Sequence, residues 1–166
     1  MLFSKEHGNI LRTNGNRMKK LTKPKQYRKL FLEAERLWKE IGFLRYGREC
    51  QVRKYYPDIK ITHSNVLQTD HVITRSDKNL FFHVFNPVPV CSTCNMLKSM
   101  KAKGVDYAIQ QIVINKIGGE EFGLMMEIHQ THGPNISWKK IWWIEKVVED
   151  LKFHRDSLTH APVEGG

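Results

Sequence analysis

Residues 67–98, LQTDHVITRSDKNLFFHVFNPVPVCSTCNMLK, gather Asp70, His71, Asn86, Cys91, Cys94, Asn95 and Lys98 in one short span. Hydrolysing a phosphodiester needs a base for the attacking water, a cation on the phosphate and stabilisation of the leaving oxygen. Asp70 and the side-chain carbonyl of Asn95 are oxygen donors of the kind a hard ion such as Mg²⁺ takes. His71 stands directly beside the carboxylate suited to hold that ion. Neighbouring side chains on a strand point to opposite faces, so Asp70 and His71 can share a site only at a bend or a strand end. Asn95 and Lys98 are three apart, and a helix beginning near Ser92 puts them on one face.

On the N-terminal side, residues 26–46 read as a helix. Leu30, Phe31, Ala34, Leu37, Trp38 and Ile41 recur at three- and four-residue spacing, with charged residues on the other faces. Pro24 suits its start, and Gly42 or Gly47 its end. A stripe of this kind reads as core. Residues 1–25 set seven Lys and Arg against one acid, Glu6, with little apolar periodicity. They read as a flexible basic arm. Residues 50–65 read as a turn or short hairpin.

On the C-terminal side, Val105 to Ile117 reads as a helix stopped by Gly118 and Gly119, and Glu120 to His129 as a second one. A turn at Gly133 and Pro134 leads to a last helix from Ser137, a plausible N-cap, to Phe153. Residues 154–166 read as a frayed tail, which leaves residues 26–153 as the folded domain.

Composition sets the outer bounds. The 166 residues, 40% of them hydrophobic and 27% charged, fit one globular domain. A formal charge of +10 points to a polyanionic partner, most often nucleic acid. No apolar run is long enough to span a membrane, and the first ten residues lack the apolar centre of a secretory signal. A cytoplasmic protein is the expectation. Three cysteines that include a CxxC pair read, in a reducing compartment, as metal ligands or free thiols before disulfides.

Asp70-His71, then Asn86, then Cys91-x-x-Cys94-Asn95 with Lys98 close behind, resembles the HNH, or ββα-metal, nuclease motif. The resemblance covers Leu67 to Lys98. It implies that His71 is the general base, that Asn86 ties down the loop orienting it, and that Asp70 and Asn95 bind the metal. Asn95 departs from the histidine that gives the motif its last letter. CSTCN at 91–95, then Tyr107 and the helix running into IGGEEFGLMMEIHQTH at 117–132, carry a looser likeness, over residues 26–132, to the NinG (Rap) recombination nucleases of lambdoid phages, which implies action on branched DNA. HNH proteins with two CxxC knuckles hold a structural Zn²⁺ between them. Here the second knuckle would start at Cys50, but the residue three further on is Arg53. Cys50, Cys91 and Cys94 are then three zinc ligands in search of a fourth, which His63 or His83 could supply. Otherwise the three remain reduced thiols packed as small hydrophobes.

Together these readings give a small α+β domain, a ββα-metal (HNH) core with flanking helices, hydrolysing DNA with Mg²⁺. Arg75, Lys98, Lys101 and Lys103 are the expected phosphate contacts, positioning DNA without reading its sequence. Two rivals remain: a non-catalytic zinc-knuckle module that binds nucleic acid, and a nuclease directed at RNA.

Overall fold

A computed structural model of the chain describes residues 22–131 and 140–160. Its elements are α1 (Lys23–Tyr46), α2 (Gln51–Tyr55), β1 (Leu67–His71), β2 (Pro87–Cys91), α3 (Ser92–Ser99), α4 (Val105–Ile117), α5 (Gly119–Thr131) and α6 (Ile141–His160). The described residues thus form an α+β arrangement, mainly helical, with one two-stranded antiparallel sheet.

Pro24 lies in the first turn of α1, where its missing N–H costs no hydrogen bond. The helix therefore begins at Lys23, inside the segment read as a basic arm, and residues 1–21 lie outside those described. Gly47 ends α1 with φ 87, a left-handed value that favours glycine. Gly42 is an interior residue instead. A Cβ there would meet Pro87 Cβ at 3.1 Å and Thr69 Cγ2 at 3.3 Å, so it lets α1 lie close against the strands. The buried face of α1 (Ala34, Leu37, Trp38, Ile41) packs on Ile144, Val148 and Leu151 of α6 and on Phe82.

Two expectations are corrected here. Residues 50–65 hold no hairpin: five of them form α2, which buries Gln51 and Val52. Gln51 Nε2 donates to the carbonyls of Tyr46 and Glu49, both at 3.0 Å, a local anchor with no periodic signature. The C-terminal helix starts at Ile141 and runs through His160, so residues 154–160 are helix rather than frayed tail. Leu158, one heptad beyond Leu151, carries the apolar stripe onward against the α1 cluster. Ser137, Gly133 and Pro134 lie outside the described residues, as do residues 161–166.

β1 pairs with β2 in the register Leu67↔Cys91 to His71↔Pro87, and α3 follows β2 directly. A second core of Val72, Val88, Val90, Val105, Ile109, Ile112 and Val113 joins the strands to α4. No helix among the described residues is long and apolar enough to cross a membrane.

Candidate functional site

His71 closes β1, the strand end that the pairing with Asp70 requires. Its ring is buried, stacked on Trp38 of α1 with centroids 4.2 Å apart. Nε2 lies 3.0 Å from the backbone oxygen of Phe81. A carbonyl only accepts, so Nε2 carries the hydrogen and the neutral ring keeps its bare lone pair on Nδ1. Burial pushes His71 down to about 4, against the pull of the Asp70 carboxylate. The imidazole is therefore neutral at pH 7.

The loop that supplies Phe81 is tied down by Asn86, which is fully buried. Asn86 Oδ1 accepts from the Ile73 amide at 2.8 Å, and Nδ2 donates to the carbonyls of Leu80 at 2.8 Å and Ile73 at 3.3 Å. One side chain thus fastens both limbs of the loop between the strands. Helix α1 grips the loop's far end. Trp38 Nε1 donates to the His83 carbonyl at 3.1 Å, and Arg45 donates to the Val84 carbonyl with its guanidinium over Phe85.

Asp70 and Asn95 meet beside His71. All three line a cleft of about 460 Å³, together with Trp38, Arg75 and Phe81. Helix α3 begins at Ser92 and turns both Asn95 and Lys98 toward β1. Asn95 Nδ2 donates to Gln68 Oε1 at 2.8 Å, which leaves its amide oxygen facing Asp70. That position lies 3.2 Å from Asp70 Oδ2 and 3.3 Å from Oδ1. Facing oxygens at this spacing repel, and turning the amide over lets its NH₂ donate to both Asp70 oxygens. Adjacent ligands of an octahedral Mg²⁺ at about 2.1 Å stand about 3 Å apart. Asp70 and Asn95 thus stand side by side, and a hard ion there would need water or phosphate to complete its shell.

Lys98, expected to meet phosphate, is engaged within the chain. Its Nζ donates to Asp70 Oδ2 at 2.7 Å and to the backbone oxygen of His71. Arg75 lines the cleft with its guanidinium near the Phe81 ring. Lys101 lines a second cleft on the other side of Asp70. Lys103 turns away and donates to the Lys60 carbonyl at 3.1 Å.

A second cluster lies at the other end of the strands. Cys50 caps α2, Cys91 ends β2, Cys94 sits in the first turn of α3, and His63 comes from the connection before β1. Their donor atoms lie within 4.8 Å of one another, a group able to hold a metal ion. Sulfur–sulfur separations of 3.7 and 3.4 Å for Cys50–Cys94 and Cys91–Cys94 are far beyond a disulfide bond. His63 Nδ1 lies 3.8, 3.5 and 3.4 Å from the sulfurs of Cys50, Cys91 and Cys94. A tetrahedral zinc with bonds of about 2.3 Å to sulfur and 2.0–2.1 Å to nitrogen has edges of about 3.5–3.8 Å. Five of the six edges of the cluster, at 3.4–3.8 Å, are close to those lengths. His63 rather than His83 is the fourth donor. His83 sits on the loop between the strands, pushed down to about 4 by burial, and its Nδ1 accepts from the Phe85 amide.

Sequence reasoning treated Trp38 as core alone, whereas it also forms one wall of the cleft and the stacking partner of His71. An aromatic at helical spacing gives no sign of that second part. Neither protein families, nor curated proteins, nor solved structures yield a match to this chain.

Proposed function

We propose that this protein is a divalent-cation-dependent endonuclease that hydrolyses DNA, with a ββα-metal motif formed by β1, β2 and α3. The observation that carries the reading is the placement of His71. Its Nε2–H is committed to the Phe81 carbonyl, its face rests on Trp38, and it borders the same cleft as Asp70 and Asn95.

In this reading Nδ1 of the neutral imidazole takes the proton from the attacking water. The Phe81 carbonyl then steadies the imidazolium that results, since both ring nitrogens now donate. Asn86 acts through Phe81, holding the loop whose carbonyl fixes the ring. A Mg²⁺ held by Asp70 and Asn95 would supply positive charge to the phosphate and the leaving 3′ oxygen. Arg75 and Lys101, which line the clefts beside Asp70, would meet the flanking backbone, and the net charge of +10 favours the approach of a polyanion. Structural Zn²⁺ on Cys50, His63, Cys91 and Cys94 would pin α2 and the strand connection to the start of α3, keeping Asn95 in register with β1.

The same zinc cluster would also suit a non-catalytic module that binds nucleic acid. Purified protein incubated with duplex, junction and single-stranded DNA and with RNA, each with and without Mg²⁺, separates the readings. Cleavage of DNA that depends on Mg²⁺ is expected, with junctions preferred if the NinG likeness extends to substrate. Tight binding that is indifferent to Mg²⁺, without cleavage of any substrate, supports the binding module instead.

A further inference from the structure

The Lys98 ammonium occupies a place that the proposed site leaves unexplained. It reaches back from the last turn of α3, where the helix dipole favours a cation, to donate to Asp70 Oδ2 and to the carbonyl of His71. The side chains of Lys98 and Asp70 are 13% and 16% exposed, so the pair is largely withdrawn from water. The carboxylate expected to hold a divalent ion already has a counter-ion, and the pair is partly buried.

From this we infer that Lys98 makes divalent-cation binding at Asp70 conditional on a bound phosphodiester; the inference rests on the nuclease reading above. The charge count around Asp70 is the reason. The cleft on the α3 side is lined by Arg75, Lys98 and Lys101 against Asp70 and Asp106, an excess of one positive charge. A divalent ion entering without substrate meets an ammonium already paired with the same carboxylate, in surroundings that screen charge poorly. A phosphodiester brings negative charge for both cations to share. It gives the ammonium a second anionic partner and completes the ion's coordination with phosphate oxygen. Ion and substrate therefore bind cooperatively, and the site assembles on DNA rather than ahead of it. In the ion-free protein Lys98 also holds Asp70 in place, and turning the Asn95 amide toward the carboxylate supplies the remaining hydrogen bonds.

The test is a Mn²⁺ titration of the zinc-loaded full chain. Free Mn²⁺ is read by electron paramagnetic resonance, with and without a duplex whose phosphorothioate linkages resist cleavage. Asp70→Asn supplies the background from Mn²⁺ held by DNA alone. Wild type is expected to bind Mn²⁺ weakly alone and at least about tenfold more tightly with the duplex, within the usual range of coupling between sites. Lys98→Met is expected to bind Mn²⁺ at least about tenfold more tightly than wild type in the absence of DNA, with most of the enhancement by DNA lost. Lys98→Arg keeps the charge and is expected to behave as wild type, and Lys98→Gln repeats the test should Lys98→Met fold poorly. Equal or weaker Mn²⁺ binding by both neutral variants overturns the role of Lys98. Mn²⁺ binding that Asp70→Asn leaves unchanged in every state overturns the metal-site reading itself.

Discussion

Trp38 and His71 lie face to face, with ring centroids 4.2 Å apart and planes 27° from parallel. The indole reaches past the imidazole to donate from Nε1 to the His83 carbonyl. One helical residue therefore fixes both the plane of the candidate base and the far limb of the loop that holds its Nε2. Trp38→Ala is expected to cost about 3–5 kcal/mol as a core truncation. Trp38→Phe is the sharper probe. It keeps an aromatic face but strands the His83 carbonyl, a loss of about 1–3 kcal/mol. Cleavage should fall with little change in DNA affinity, which nicking rates and filter binding on one preparation would show. Unchanged nicking by Trp38→Phe would mean that the loop needs no such grip.

Burial makes two neutral histidines pH-sensitive elements of the fold. His71 and His83 are each pushed down from 6.5 to about 4, His71 against the Asp70 carboxylate and His83 with help from Arg45 and His154. Between those values the unfolded chain binds more protons than the folded one, so stability rises with pH across that window. Each ring is worth up to about 3 kcal/mol, fully present above the ordinary imidazole range and lost as the pH falls toward 4. Ring proton shifts followed by NMR should show both histidines still neutral at pH 5. Titration of His71 near 6.5 would contradict its burial against Trp38.

The sulfur cluster predicts one zinc per chain, measurable by metal analysis of protein purified without added zinc. His63→Ala removes one of four donors and should lower the melting temperature by roughly 10 °C or more, since a structural zinc contributes several kcal/mol to folding. Treatment with a strong chelator should reproduce the effect in the unsubstituted chain. His83→Ala should leave the zinc content at one per chain.

Much of this arrangement was legible because it is local. Val105–Ile117 is bounded by Gly104 and Gly118 in sequence and in space, and the apolar stripe of α1 is the face buried against α6. The placement of Asn95 and Lys98 on one face followed from a helix starting at Ser92. What stayed hidden depends on distance through space. His63 and His83 were equivalent candidates until the strands brought one of them to the three sulfurs. The ammonium of Lys98 could as well have met a phosphate, and pairing with Asp70, 28 residues away, is set by how α3 folds back on β1. Helix α2 has too few residues to show a period, and its anchor, Gln51, is a polar side chain that sequence rules place outside.

The central claim is that His71 activates water for phosphodiester hydrolysis. Nicking of supercoiled plasmid by His71→Ala in the presence of Mg²⁺, alongside a DNA-binding measurement on the same preparation, addresses it most directly. The account predicts that nicking is abolished while binding persists. Nicking at the wild-type rate by a folded His71→Ala protein would contradict it.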